Sequence, residues 1–213
     1  VLFTIFKLLP EEINFQNAME IASINGKLEV LDFSFDLENR YTVWSGIIGG
    51  TFLMLSYFGT DQSQVQRYLS GKSLREMQLG MIFNGMLKVP MQFFILFIGV
   101  MVFIFYQFNL SPLNFNPQAS KIINGSSYES EFKSLKNKLN AIHFEKISVI
   151  NEILQEKVEN KKIALSKLEN HEKKIRHEAK LLIEKAGAEK SIKIETNDKD
   201  SIFISFILNH LPN

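Results

Sequence analysis

The 213-residue chain contains no cysteine, which excludes disulfide bonds and thiolate metal sites. Its net charge is +1, so it lacks the basic excess that is typical of nucleic-acid binding, and we expect no nucleic-acid partner. The sequence also lacks a Gly-rich phosphate loop, a nucleophile elbow and paired carboxylates in an apolar setting. We therefore predict neither an enzyme nor a bound cofactor. The four histidines are scattered along the sequence, at His143, His171, His177 and His210. We therefore expect them on a solvated helix face rather than in a metal site.

Charge is missing from residues 41–60, and residues 77–108 carry one charged side chain, Lys88. A run of about 20 apolar residues is what a helix needs to cross the hydrocarbon core of a bilayer. Soluble core helices seldom stay so apolar for so long. The sequence therefore predicts an all-α membrane protein with two transmembrane helices, at 41–60 and 77–108.

The remaining segments are assigned from their polarity and from their basic residues. The short connection 61–76 carries Arg67, Lys72 and Arg75, and short cytoplasmic loops are enriched in Lys and Arg. We therefore expect 61–76 to be a cytoplasmic loop or short helix. The other expected segments are the end of a transmembrane helix at 1–10, an extracytoplasmic loop at 11–40, an extracytoplasmic polar region at 109–200 and the start of the next membrane-associated segment at 201–213.

Both ends of the sequence lie beside apolar runs. The chain begins with Val1 inside one such run and stops just after the run 202–211. We expect a central fragment of a longer, multi-pass protein of the inner or plasma membrane.

A long helical insertion is predicted at 129–186, which has no proline and many Glu, Lys, Leu and Ile residues. Its apolar residues recur mostly at gaps of three, four or seven, the spacing of one helical face. A break near Asn160 or Asn170 would fold the segment into a hairpin of two helices. The pattern fits either a solvated insertion or a coiled coil.

Lys88 is the most informative single residue. A rise of about 1.5 Å per residue places it about 16 Å inside a membrane helix that starts at residue 77. A charge at that depth is costly unless it is paired or hydrated. Lys88 therefore either lines a polar cavity or reaches towards the interface or a neighbouring helix, and Pro90 favours a kink beside it.

Several other positions allow both a structural and a functional interpretation. Tyr57 is either an interfacial anchor or a cavity residue, and Gly49 and Gly50 indicate either close helix packing or a helix break. In the polar connection, Asp61 can cap the next helix. The polar residues of this connection form either a solvated loop or a cytoplasmic gate, and they are Asp61, Gln62, Gln64, Gln66 and Arg67.

Residues 57–73, YFGTDQSQVQRYLSGKS, closely resemble the signature of the sodium:solute symporter family. In that family a tyrosine precedes G-x-D/N-Q-x-x-V/I-Q-R-x-L, and Lys-Ser follows a short stretch later. Residues 40–46 and 87–91 also resemble the family at the corresponding places. The resemblance extends over about 1–108 and 197–213.

The resemblance implies a fragment of an inverted-repeat core with five plus five helices, in which 41–60 is the first helix of the second half. It implies that Tyr57 is an inner-gate aromatic and that Lys88 reaches the substrate cavity. Met54 stands where a sugar-transporting member has a substrate-binding asparagine, which argues against a sugar. The family's sodium ligands lie in parts that this sequence does not contain, so Na⁺ is expected as coupling ion without ligands here.

The function implied is sodium-coupled symport of a small polar organic solute by alternating access. The expected partners are the lipid bilayer, the solute, Na⁺ and the remaining transmembrane helices of the parent chain. The alternative from another class is a membrane-anchored coiled-coil protein that presents 129–186 to a partner. A soluble helical enzyme would need further domains to bury the apolar helices.

Overall fold

The computed structural model describes residues 1–28, 32–35, 42–156 and 159–211, and all regular structure within them is α-helical. In chain order the helices are α1 (Leu2–Leu8), α2 (Phe15–Ile24), α3 (Val43–Gly59), α4 (Gln62–Leu69), α5 (Leu74–Phe108), α6 (Pro117–Ile123), α7 (Glu129–Glu156), α8 (Glu159–Glu189) and α9 (Lys199–His210). The chain divides into two compact units, one of Val1–Asn25 with Ile98–Asn213 and one of Gly26–Phe97. The parts of the predicted segments at 29–31, 36–41, 157–158 and 212–213 lie outside the described residues.

Helix α3 begins at Val43 because Thr42 caps it. The Thr42 Oγ1 atom accepts a hydrogen bond from the Ser45 backbone N–H at 3.2 Å, and the Ser45 hydroxyl accepts from the Thr42 backbone N–H at 3.1 Å. This reciprocal capping box satisfies backbone donors that have no partner in the first turn of a helix. The Trp44 indole N–H donates to the Phe33 carbonyl at 3.2 Å, which ties the start of α3 to the segment before it.

The structure differs from the predicted break at Gly49 and Gly50, since α3 runs without interruption through both residues. A side chain at Gly46, Gly49 or Gly50 would meet no atom within 4 Å. These glycines therefore support neither a break nor a close helix contact among the described residues. Because their backbone amides take part in a regular α-helix, nothing in this part of the chain forces the helix to unwind.

Helices α4 and α5 both begin at short polar side chains. The Asp61 carboxylate precedes α4 and accepts hydrogen bonds from the Ser63 backbone N–H at 2.9 Å and from the Ser63 hydroxyl at 2.7 Å. This is the capping role that the sequence allowed for Asp61. At α5, the Ser73 hydroxyl accepts from the Glu76 backbone N–H at 3.3 Å, and Glu76 accepts from the Lys72 N–H at 3.1 Å.

Helix α5 has 35 residues and continues through Pro90. At 1.5 Å per residue it is about 52 Å long, well above the thickness of a hydrocarbon core. Among the described residues it is the helix that is long and apolar enough to span a membrane, and 22% of its most apolar window is buried. Helix α3 is equally apolar but shorter, with 17 residues.

Helices α7 and α8 form an antiparallel hairpin with α6 packed against α8. Residues that are far apart in sequence pair across it: Lys146 with Glu172, and Lys161 with Glu152 nearer the tip. The hairpin core is apolar and buried, as helical periodicity predicts. It consists of Leu113, Ala119, Ile122, Ile123, Leu135, Leu139, Ala179, Leu182, Ile183 and Ala186.

Helix α2 lies beside the tip of this hairpin. One small apolar gap is lined by Ile21 and Ile24 of α2 together with Ile150 and Ile153 of α7 and Leu165 of α8. A second gap is lined by residues 12, 13 and 17 on one side and 151, 154 and 155 on the other. Helix α2 and the helical insertion are therefore neighbours within one compact unit.

Helix α9 packs against the C-terminal end of α5 through aromatic side chains. The rings of Phe105 and Phe206 meet edge to face with centroids 5.0 Å apart, and His210 contacts Phe105 at 4.8 Å. Both phenylalanines are completely buried. This contact places α9, which follows the hairpin in sequence, against the end of α5, which precedes the hairpin.

Candidate functional site

The structure brings together two of the predicted cavity residues, Tyr57 and Lys88. The Lys88 Nζ atom lies over the Tyr57 ring, 5.6 Å from its centroid. An ammonium group in this position is attracted by the electron-rich face of the ring, by about 0.5–2 kcal/mol depending on hydration. Tyr57 stands two residues before the end of α3, and Lys88 lies near the middle of α5. A fixed cation is thus held between the two most apolar helices.

Met54 lies one turn before Tyr57 on α3 and is exposed. Residues three apart share a helix face, so Met54 and Tyr57 lie on the same side of α3. The thioether of Met54 offers no hydrogen-bond donor at this position, where the resemblance implies a substrate-binding asparagine in a sugar-transporting member.

The predicted cytoplasmic gate residues lie at the start of α4 or within it. Asp61 caps this helix, and Gln62 and Gln66 are exposed on it. Arg67 belongs to α4, but its side chain lies outside the described part of the chain. Asp61 therefore has a defined structural role, whereas gating by these residues stays a prediction.

A second polar cluster lies in the other unit, near the middle of the α7–α8 hairpin. The Lys146 ammonium donates to Glu172 at 2.8 Å, and the Arg176 Nε–H donates to the other Glu172 carboxylate oxygen at 3.0 Å. The Lys146 side chain is 7% exposed and the Glu172 side chain 22%. A charge buried to this extent is stable only when it is paired.

Arg176 also fastens the loop between α5 and α6. Its guanidinium donates to the carbonyls of Pro112 and Leu113 at 2.8 and 3.2 Å and to the Ser111 hydroxyl at 2.6 Å. The fork of a guanidinium suits such multiple contacts better than an ammonium does. Each of its three nitrogens therefore has a partner, and Arg176 acts as a structural clamp.

Asp198 performs a similar task at the start of α9. Its two carboxylate oxygens accept from the Phe115 backbone N–H at 2.9 Å and pair with the Lys180 ammonium at 3.2 Å. The Asn114 side chain, next to Phe115, donates to the Thr196 carbonyl at 3.2 Å. The segments before α6 and before α9 are thus held together beside the Lys146 cluster.

Burial and neighbouring charges shift two pKa values in this cluster. Burial lowers the pKa of the His143 imidazole, and the nearby Lys146 charge lowers it further. For Glu172, burial acts to raise the pKa, but Lys146 and Arg176 outweigh it, so the pKa of this carboxyl is below its ordinary value. At neutral pH the cluster therefore contains a neutral histidine and an ionised glutamate.

The sequence analysis expected His143 on a solvated helix face, but the residue is buried, at 9% exposure. It assigned no role to Lys146, Glu172 or Arg176, although the pattern contained a signal for the buried positions of α7. Leu139, His143, Lys146 and Ile150 follow one another at gaps of four, three and four, so they share the inward face of α7. A polar residue in an apolar register marks a buried polar group. This spacing is hard to recognise in the sequence because other acidic and basic residues surround the two polar positions.

No family profile matches the chain, and no solved structure matches it. Curated relatives do match. The human sodium/iodide cotransporter is 29% identical over 91 residues, which are 43% of this chain and 14% of the relative. The mouse sodium-coupled monocarboxylate transporter 2 is 39% identical over 70 residues, 33% of this chain and 11% of the relative. The rabbit sodium-dependent multivitamin transporter is 41% identical over 54 residues, 25% of this chain and 8% of the relative.

The matched segments thus span about one seventh or less of the length of these relatives. All three relatives are transporters of the sodium:solute symporter family, and none is an enzyme. The family of these relatives is the family that residues 57–73 resemble. Over the matched part, this chain is related to the sodium:solute symporters.

Proposed function

We propose that this chain is part of a symporter that couples the movement of Na⁺ down its gradient to the uptake of a small polar organic solute. The observation that carries the proposal is the similarity to several sodium-coupled transporters with different solutes. Their common property is sodium coupling, so coupling is the part of the function that the similarity supports best. The solute itself differs among them.

The Tyr57–Lys88 pair supports a solute-binding role for the two apolar helices. Lys88 is the one residue of a charged type in α5 from Met77 to Phe108. Such a charge is expensive in a membrane unless it faces a polar cavity. We propose that Tyr57 positions the Lys88 ammonium towards a polar cavity, where the ammonium binds an oxygen of the solute.

The remaining core of the transporter must come from outside this chain. We propose an inverted-repeat, multi-pass protein of the inner or plasma membrane that moves its solute by alternating access. Large apolar side chains along α3 and α5 are exposed, among them Phe52, Leu55, Phe83 and Phe93. They provide surfaces for lipid and for the other transmembrane helices, and the Na⁺ ligands lie elsewhere in the parent protein.

The packing of α2 beside the hairpin tip supports the proposed orientation. Segments that contact each other outside the apolar helices lie on the same side of a membrane. The acidic segment 11–25 and the helical insertion therefore share one side, which we propose to be the extracytoplasmic side. Helix α4, with its basic neighbours Lys72 and Arg75, then lies in the cytoplasm.

The alternative, a membrane-anchored coiled coil, is less well supported by the hairpin. The inward residues of α7 and α8 are buried within the same chain, including Leu135, Leu139, Leu182 and Ile183. An intermolecular coiled coil would need such residues on an open seam. The hairpin therefore uses most of its apolar face internally.

The experiment is uptake into proteoliposomes that contain the full-length parent protein. Amino acids, monocarboxylates, vitamins and inorganic anions are screened with an inward gradient of either Na⁺ or K⁺. We expect one class to accumulate only with Na⁺. A folded protein that accumulates none of them, while an isolated 129–186 peptide self-associates, would support the anchor instead.

A further inference from the structure

A cavity of about 330 Å³ lies beside the middle of the helical hairpin, within one compact unit. It is enclosed by the last three turns of α5, by α7 and α8, and by the start of α9. Its lining residues belong to the unit that contains the hairpin, whereas Tyr57 and Lys88 belong to the other unit. The volume of the cavity is at the lower end of the range found for small-molecule sites, about 300–1,000 Å³.

The cavity has two chemically different walls. The α5 side and the loop after it contribute apolar and aromatic side chains, among them Val102, Phe103, Leu110 and Phe115. The hairpin side contributes polar groups, among them Asn140, Lys146 and Lys180. An apolar wall facing a few polar groups is the usual composition of a site for a small organic molecule.

The charges that line the cavity favour an anion. Three cations, Lys146, Arg176 and Lys180, stand against two carboxylates, Glu172 and Asp198. His143 also lines the cavity, but its lowered pKa leaves it uncharged at neutral pH. The lining therefore has an excess of one positive charge, which a single carboxylate on a ligand would balance.

Gln107 supplies an independent observation. Its side chain lines the cavity and the residue is 6% exposed. Its amide oxygen, Oε1, has no hydrogen-bond partner among the described residues. A buried carbonyl without a donor is unfavourable by about 1–3 kcal/mol. A ligand that brings a hydrogen-bond donor to this oxygen would remove that cost.

We propose that this cavity is a second solute site, outside the transport pathway, for a small organic acid that carries a hydroxyl donor beside its carboxylate. The carboxylate binds near Lys146 and Lys180, the hydroxyl donates to Gln107 Oε1, and a short alkyl chain lies on the Phe103–Phe115 wall. Because α9 and the hairpin both border the cavity, an occupied site fastens the hairpin to the end of α5.

The absence of cysteine from this chain allows a site-specific test. Asn140→Cys places one thiol in the cavity wall of the full-length protein, with cysteines elsewhere in the parent chain replaced by serine. The protein is held in phosphatidylcholine nanodiscs, and its reaction with a fluorescent maleimide is timed. The probes are 2-hydroxybutanoate, butanoate, which lacks the hydroxyl, and 2-hydroxybutanamide, which lacks the carboxylate.

We expect 2-hydroxybutanoate to protect the thiol best. At ten times its Kd it should slow labelling about tenfold, because only unoccupied protein reacts. Gln107→Met keeps the size of the side chain and removes the oxygen. It should raise the concentration of 2-hydroxybutanoate needed for protection about fivefold, which corresponds to one hydrogen bond, and leave butanoate unchanged.

Matched controls separate binding here from binding elsewhere. Gln118→Met alters an exposed glutamine, and Asn170→Cys places the thiol on the exposed surface of α8. In the Asn140→Cys protein, Gln118→Met should leave the protection by 2-hydroxybutanoate unchanged. The thiol of Asn170→Cys should not be protected. The protection should also persist in Lys88→Met, which removes the cation of the proposed transport site. Equal protection by all three probes, protection that Gln107→Met does not weaken, or no protection at all would overturn the proposal.

Discussion

At the scale of single residues, the Lys88 ammonium lies over the face of the Tyr57 ring. Lys88 was identifiable from the sequence because a lone charge in a long apolar helix is conspicuous. Its partner was not identifiable, since the contact joins residues 31 positions apart on two different helices. Tyr57 was selected instead through the resemblance of residues 57–73.

Changes at Tyr57 test whether the ring matters through its face or through its hydroxyl. Tyr57→Phe keeps the aromatic face that Lys88 contacts, so we expect sodium-dependent uptake to stay within about threefold of wild type. Tyr57→Leu removes that face, and uptake at low solute concentration should fall about tenfold. Initial uptake rates in proteoliposomes measure both. Equal losses in the two variants would contradict positioning through the ring.

The Lys146–Glu172 pair gives a second residue-scale prediction. Glu172→Gln leaves the buried Lys146 ammonium without its carboxylate, so the hairpin should lose about 3 kcal/mol of opening free energy. Hydrogen exchange of the α7 and α8 amides in the full-length protein measures this. Glu129→Gln is the control, because its partner Lys133 is largely exposed, and it should change the exchange very little. Similar effects of both changes would contradict the importance of the buried pair.

At the scale of elements, the hairpin should respond to pH through His143. Burial and Lys146 hold the folded-state pKa of His143 below its ordinary value of 6.5. The unfolded state therefore binds a proton more readily, and stability falls as pH drops from 6.5 through the folded pKa. Glu172 stays ionised in this window because its own pKa is lowered.

Hydrogen exchange of the hairpin at pH 7.5 and at pH 5.5 tests this expectation. Opening free energies, corrected for the intrinsic exchange rate at each pH, should be smaller at pH 5.5 in the wild-type protein. His143→Gln cannot take up the proton, so its pH dependence should be weaker. A pH dependence that survives unchanged in His143→Gln would assign the effect to other groups.

Two substitutions at the C-terminal end of α8 should change the stability of the hairpin in opposite directions. A Cβ at Gly187 would lie 2.7 Å from the Ile192 carbonyl oxygen, so Gly187→Ala should destabilise the hairpin by about 1–3 kcal/mol. Ser191 has a φ of 56°, which is unfavourable for a residue with a side chain. Ser191→Gly should therefore stabilise the turn by about 1 kcal/mol. Thermal unfolding followed by circular dichroism orders the three proteins, and a stabilised Gly187→Ala would contradict the close contact.

Helical periodicity predicted that residues 129–186 form long helices, but not which polar side chains these helices bury. The two helices of the hairpin pack through residues such as Leu135, Leu139 and Leu182, which belong to the predicted apolar face. The buried Lys146 and His143 share that face, and a rule based on hydrophobic residues passes over them. Gly49 and Gly50 allowed either close helix packing or a helix break, and the helix is continuous there. Glycine permits a break, but only surrounding contacts can impose one.

At the scale of the whole molecule, the chain combines two kinds of surface. Helices α3 and α5 expose apolar side chains, and Lys88 is the one charged residue of α5 after Glu76, whereas the hairpin buries its apolar face and exposes charge. The first suits lipid and other transmembrane helices, and the second suits water. The apolar runs made this division predictable, whereas the contact between α2 and the hairpin tip depends on tertiary packing that no local pattern contains.

Sodium-driven accumulation tests the central claim most directly. Proteoliposomes that contain the full-length protein are given the solute found in the screen at equal concentration inside and outside, and an inward Na⁺ gradient is then imposed. We expect the internal solute concentration to rise above the external one, to fall back when the gradient collapses, and to stay level in Lys88→Met. Solute movement in wild-type protein that is the same with Na⁺, with K⁺ and without any gradient would contradict sodium-coupled symport.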